Sequence, residues 1–163
     1  MNIYLLAFLG GIVGAIFMDI TESLAARFGL TSGVNVALLG RWAMGLTRGQ
    51  WSHVNIVDSP PHSHEVPMGW MFHILVGGGG VALIYAFFIS STGFILPVQH
   101  LWVGLAFGAL TSLLPWLLLL PAFGWGWFGR HGPRGSNALL ASTVSHIPYG
   151  LGIGAVTALG LSL

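Results

Sequence analysis

"IYLLAFLGGIVGAIFMDITESLAA", Ile3 to Ala26, carries two charged side chains, Asp19 and Glu22, in an otherwise apolar run. At about 1.5 Å of rise per helical residue the run is long enough to cross the roughly 30 Å of hydrocarbon in a bilayer. In lipid an unpartnered backbone N–H or C=O costs several kcal/mol, so such a segment has to be helical throughout. No basic stretch precedes the apolar run and arginine follows it, so it reads as a retained first span and not as a cleaved leader.

Working outward, three more runs have the same character: Gly69–Ser90, Gln99–Leu120 and Asn137–Leu161. The 163 residues are 55% hydrophobic and 6% charged, against roughly 25% charged in soluble domains. The mean hydropathy is +0.83. The expected fold is therefore all-α: a polytopic four-transmembrane-helix bundle, forming a single transmembrane domain over residues 1–163. The stretch Val34–Leu46 is too short to span and is expected as a short interfacial helix in the first cytoplasmic loop. "DSPPHSHEVP", Asp58–Pro67, is rich in proline and reads as a loop.

All five basic residues are arginines. Arg27, Arg41 and Arg48 fall between spans one and two, Arg130 and Arg134 between spans three and four, while "SSTGFILPVQ" between spans two and three has no charge. The positive-inside bias then makes both arginine-bearing loops cytoplasmic and leaves both termini outside. With a net charge near +1 there is no reason to expect nucleic acid as a partner. The absence of cysteine excludes disulfides and thiolate metal sites. Trp42, Trp51, Trp70, Trp125 and Trp127 are placed to serve as belt residues at the interface, and His100 and His131 as interfacial histidines.

Each span holds small residues four apart: Gly10 and Gly14, Gly78 and Ala82, Gly104 and Gly108, Gly150 and Gly154. Such pairs let backbones approach closely where no hydrophobic effect drives helices together. They serve either the bundle itself or contacts with another chain, in a homo-oligomer or a larger membrane complex. "GGGG", Gly77–Gly80, lies inside a span and opens no helix, so it is a packing element or a kink and not a phosphate loop.

The polar residues are the functional signal. Asp19 and Glu22 share a face near the cytoplasmic end of span one; His73 lies one turn into span two, with Gly77 and Gly80 on its face; His146 lies in span four. A lone buried charge there would cost roughly 2.5 to 3.5 kcal/mol on insertion scales, so partners are expected. Two imidazoles with one or two carboxylates suit a divalent transition metal such as zinc, iron, manganese or nickel. In the first loop, His62, His64 and Glu65 of "HSHE" form a second candidate metal-ligating group. A structural role is the alternative, with an Asp–His bond holding helix register and Glu22 reaching the interface near Arg27. A proton or small-solute pathway is the third. No phosphate-binding loop, G-x-S-x-G or H-E-x-x-H occurs, and no nucleophile with an evident base, so no catalytic residue is assigned.

Several motifs taken in order resemble a family of small bacterial inner-membrane proteins, domain of unknown function 2938. They are "GAIFMD" (Gly14–Asp19), "GRWAMGLTRGQW" (Gly40–Trp51), "GWMFHILVG" (Gly69–Gly77), "FGALTSLLPW" (Phe107–Trp116), "LPAFGWGW" (Leu120–Trp127) and "SHIPYGLG" (Ser145–Gly152). The resemblance covers nearly the whole chain. It implies four spans in a bacterial plasma membrane and carries over no site residue. The reading taken forward is a small membrane protein that binds or translocates a divalent metal through Asp19, Glu22, His73 and His146, or an accessory subunit docking through its glycine faces.

The topology is directly testable because the chain has no cysteine of its own. A cysteine at Ser91 should react with an impermeant maleimide on intact cells, and one at His131 only after permeabilisation. The reverse pattern would invert the orientation.

Overall fold

A computed structural model describes residues 2–31, 35–93, 96–133 and 137–163; Val34, Phe94, Ile95 and Arg134, used in the reading of sequence, lie outside them. Among the described residues the chain is all-α, with helices α1 (Ile3–Arg27), α2 (Val36–Leu46), α3 (Glu65–Met71), α4 (Val81–Thr92), α5 (Pro97–Thr111), α6 (Leu120–Ala122) and α7 (Asn137–Ser162). A π-helical segment, Phe72–Gly80, joins α3 to α4 without a break, and another, Pro115–Leu119, leads into α6. Four continuous helical stretches are long and apolar enough to cross a membrane: Ile3–Arg27, Glu65–Thr92, Pro97–Ala122 and Asn137–Ser162.

The second span starts at Glu65, earlier than expected, because Pro67 falls in the first helical turn, where a missing N–H leaves nothing unsatisfied. The short helix α2 is present, capped by Asn35, whose Oδ1 accepts from Leu38 N at 3.3 Å. Gly93 ends α4 in the left-handed conformation, φ 71°, which glycine adopts without a Cβ penalty. The π winding corrects one expectation. With bonds closing five residues back, residues four apart no longer stack, so the face shared by His73, Gly77 and Gly80 in an α-helix is not kept.

The chain divides into two compact units. The first comprises Met1–Thr21, Ile74–Thr111 and Val144–Leu163. Here glycine sets the packing. A Cβ on Gly10 would lie 2.9 Å from Ile153 Cα, and one on Gly152 would meet the Gly14 backbone, so α1 and α7 run backbone to backbone. A Cβ on Gly11 would strike the Gly78 carbonyl and lie 2.6 Å from Ala82 Cβ. Gly104 and Gly108 face Gly150 and Gly154 so closely that added Cβ atoms would stand 2.6 to 2.9 Å from their backbone atoms. Each of these segments is thus wedged between two others in a ring, α1–α4–α5–α7, closed on the α4–α5 side by Tyr85 against Phe107 at 5.5 Å. Ala7, Ala82, Ala86, Ile89, Tyr149 and Ile153 fill its core. The glycine faces that could have served a second chain are used within this one.

The second unit comprises Glu22–His73 and Ser112–Thr143. α2 crosses α3 at Gly40 and Gly69: a Cβ on Gly40 would overlap the Glu65 carbonyl and lie 2.7 Å from Gly69 N. Leu38, Ile56, Leu120, Phe123 and Trp125 form its core. The chain from His53 to Ile56 is bonded to the turn after α6, through His53 N to Ala122 O and Ile56 N to Phe123 O, both 2.9 Å. Trp125 is therefore a core residue and not a belt residue; its indole N–H donates to Asn55 Oδ1 at 3.1 Å. Trp51, Trp70 and Trp127 are exposed, as anchors should be.

These contacts predict a contrast. Gly108→Ala should lose about 1–3 kcal/mol of stability in detergent by forcing α5 from α7. Gly80→Ala, whose Cβ would meet nothing nearer than 3.4 Å, should stay within about 0.5 kcal/mol of the parent. Thermal unfolding of both variants measures the difference.

Candidate functional site

Two polar centres stand out in the second unit, and they are opposites. The first is built on Arg41, in the middle of α2 and only 9% exposed. Its Nε donates to Glu65 Oε2 at 2.8 Å and its NH2 nitrogen to Oε1 at 3.1 Å, a two-pronged pair. The NH1 nitrogen donates to the carbonyls of Ile56 (3.0 Å) and Ser59 (2.8 Å). One guanidinium thus ties α2, α3 and the loop between them together, and leaves little of Glu65 for any other ligand.

Around this clamp the loop is ordered. The His53 ring Nδ1 lies 2.9 Å from Ser59 Oγ and 3.1 Å from Gln50 Nε2. Burial, and secondarily the Arg41 charge, hold the His53 imidazole below its ordinary pKa. The Trp42 indole N–H donates to the Trp51 carbonyl at 2.9 Å. A shallow pocket of about 450 Å³ opens between Gln50, His53, Asn55 and Asp58.

The "HSHE" tract takes a different part from the one its spacing suggested. The His62 backbone N–H donates to Glu65 Oε2 at 3.2 Å, His64 is exposed with its Nδ1 2.9 Å from Ser63 Oγ, and both Glu65 oxygens are held by Arg41. The tract forms the turn that starts α3. His62 and His64 are not drawn together around Glu65, because the guanidinium already fills that place.

The second centre is Glu22, near the end of α1. It is 2% exposed, and among the described residues neither carboxylate oxygen has a hydrogen-bond partner. The approach of Glu22 to the interface near Arg27, the structural alternative, does not occur: Glu22 is buried while Arg27 is exposed. Ser112 Oγ, Thr31 Oγ1 and Trp116 Nε1, in the same unit, are likewise buried without partners. An uncompensated buried charge costs several kcal/mol, so a carboxylate in such a place demands a reason.

Of the remaining expected ligands, Asp19 and His146 belong to the first unit and His73 to the second. Asp19 is half-buried in α1 and His146 half-buried in α7, its ring edge-on to Tyr149 at 6.2 Å. His73 is buried at the start of the π segment, edge-on to Trp70 at 6.1 Å. Among the described residues no three histidine, aspartate or glutamate side chains gather in a way that could hold a metal ion.

Two arrangements in the first unit had no signal in the spacing of the sequence. The Tyr149 hydroxyl donates to the Gly78 carbonyl at 2.7 Å and lies 3.2 Å from that of Gly77, capping carbonyls of the π segment. His100 is fully buried, its Nδ1 2.8 Å from the Tyr85 hydroxyl, and so is not the interfacial histidine expected. A histidine near the end of an apolar run carries no local mark of which neighbour will cover it.

Four helical stretches long and apolar enough to cross a bilayer define a polytopic α-helical membrane protein. Its chain belongs to the family described as "Protein of unknown function (DUF2938)", whose family model matches residues 8–159. No curated protein and no solved structure matches it.

The Arg41 clamp makes a firm prediction. Arg41→Met leaves the half-buried Glu65 carboxylate with only the His62 N–H as donor and frees the Ile56 and Ser59 carbonyls, and should cost about 1–3 kcal/mol. Limited proteolysis should then cut between Trp51 and Glu65, a stretch the parent protects.

Proposed function

We propose that this protein binds a small cationic solute within the membrane, with Glu22 as its counter-charge. One observation carries the reading: a glutamate 2% exposed with both oxygens unpartnered among the described residues, in a chain with four acidic side chains in all. In either protonation state Glu22 needs a partner, as an acceptor pair or as an O–H donor. Intramembrane ionisable groups of this kind mark solute and ion pathways, because a residue that only packed would be more stable as an apolar one. The absence of a three-ligand group among the described residues favours a cation held by few contacts over a tightly ligated transition metal. The membrane is the bacterial inner membrane in this reading, with the arginine-bearing loops in the cytoplasm.

Thermal unfolding in detergent tests it, with sodium, potassium, ammonium, methylammonium, zinc and manganese as probes. One of them at about a hundred times its Kd should raise the midpoint by roughly 5–10 °C. Glu22→Gln should abolish that rise, while Glu22→Leu should leave the ligand-free protein at least as stable as the parent. A parent that responds to no cation, with Glu22→Leu destabilised, would remove the basis for the proposal.

A further inference from the structure

The first unit contains a second set of buried polar atoms, independent of Glu22. Tyr85, His100 and Thr157 are each 0% exposed. The Tyr85 hydroxyl is 2.8 Å from His100 Nδ1 and 3.4 Å from the His100 carbonyl. His100 Nε2 and Thr157 Oγ1 have no partner among the described residues.

The helix crossing brings the residues that carry these two atoms to neighbouring levels of α5 and α7. α5 and α7 run antiparallel, with Gly108 against His146 and Gly150, Gly104 against Gly150 and Gly154, and the His100 backbone against Gly154. Thr157 is one turn beyond Gly154, on the same face. The His100 side chain leans toward the start of α5, as helical side chains do, and so toward the level of Thr157. The threonine hydroxyl also forgoes its usual local partner. Thr21 and Thr143 bond the carbonyls four residues back, at 2.8 and 2.9 Å, whereas Thr157 does not.

We propose that His100 Nε2 and Thr157 Oγ1 hold one buried water molecule, completing a chain Tyr85–His100–water–Thr157. The ligand has to be both donor and acceptor. If the Tyr85 hydroxyl donates to Nδ1, the neutral imidazole carries its proton on Nε2 and needs an acceptor; if Nδ1 donates to Tyr85 and the hydroxyl turns to the His100 carbonyl, Nε2 needs a donor. Water serves both cases, and Thr157 accepts or donates in turn. A cation does not fit, because none of the three side chains is a carboxylate. Ala7, Ile89 and Ile153 belong to the same buried cluster as Tyr85 and keep bulk solvent out, so the water is a fixed constituent of the bundle. The chain makes this part of the bundle able to change the His100 tautomer without exposing it.

The test is nitrogen-15 histidine NMR of the full chain in lipid nanodiscs, reading magnetisation transfer between water and the His100 ring. A water cross-peak at Nε2 in the parent, kept in Thr157→Ser and weakened at least about tenfold in Thr157→Val, is the expected result. Tyr85→Phe should keep the cross-peak and shift the Nδ1 resonance. No cross-peak in the parent overturns the proposal, as does a cross-peak equally strong in a folded Thr157→Val. The parent spectrum decides even if a variant fails to fold.

Discussion

Lipid chains are as apolar as leucine, so burying an apolar side chain between two membrane helices gains little over leaving it in the bilayer. What can hold such helices together is close contact of their backbones, and only residues without a bulky side chain permit it. Gly10, Gly14, Gly104, Gly108, Gly150, Gly152 and Gly154 all stand where a Cβ would press on a neighbouring backbone. Gly40 and Gly69 do the same for the second unit. Long-range polar contacts lie beside these crossings: Gly40 abuts Glu65, the partner of Arg41, and Gly14 abuts Tyr149, whose hydroxyl reaches Gly78.

The crossings also settle what the glycine stripes are for. Faces spent on α1–α7 and α5–α7 contact inside the chain cannot at the same time receive a partner. The π segment follows from the same economy. Gly77–Gly80 has no Cβ atoms to hold a regular α pitch, Gly78 lies against Gly11, and the Tyr149 hydroxyl takes up the Gly77 and Gly78 carbonyls. A wide helical turn inside lipid is tolerable only where its carbonyls find such a donor.

Against this background the two buried charges of the second unit have different meanings. Arg41 spends its donors on Glu65, Ile56 and Ser59, and the result is an ordered loop. Glu22 is buried as deeply and has nothing of the kind. Satisfied charge in a protein interior fixes structure, while an unsatisfied carboxylate is a standing cost, and the proposed cation site rests on that contrast.

The sequence by itself determined the class of protein, the four spans, the short helix before the second of them, and the glycines on which packing rests. These depend on the local run of apolar residues and on the solvent, and both are written in a stretch of a few turns. The pairing of polar groups was decided only by tertiary structure. Arg41 meets Glu65 across 24 positions and Tyr149 meets Gly78 across 71, and no periodicity contains those distances. "HSHE" therefore carries no mark of its place in the turn that starts a helix, and His100 looked like an edge residue when it is in the core. Whether a side chain is satisfied depends on which helices cross beside it, and that is set by the backbone contacts of the whole fold.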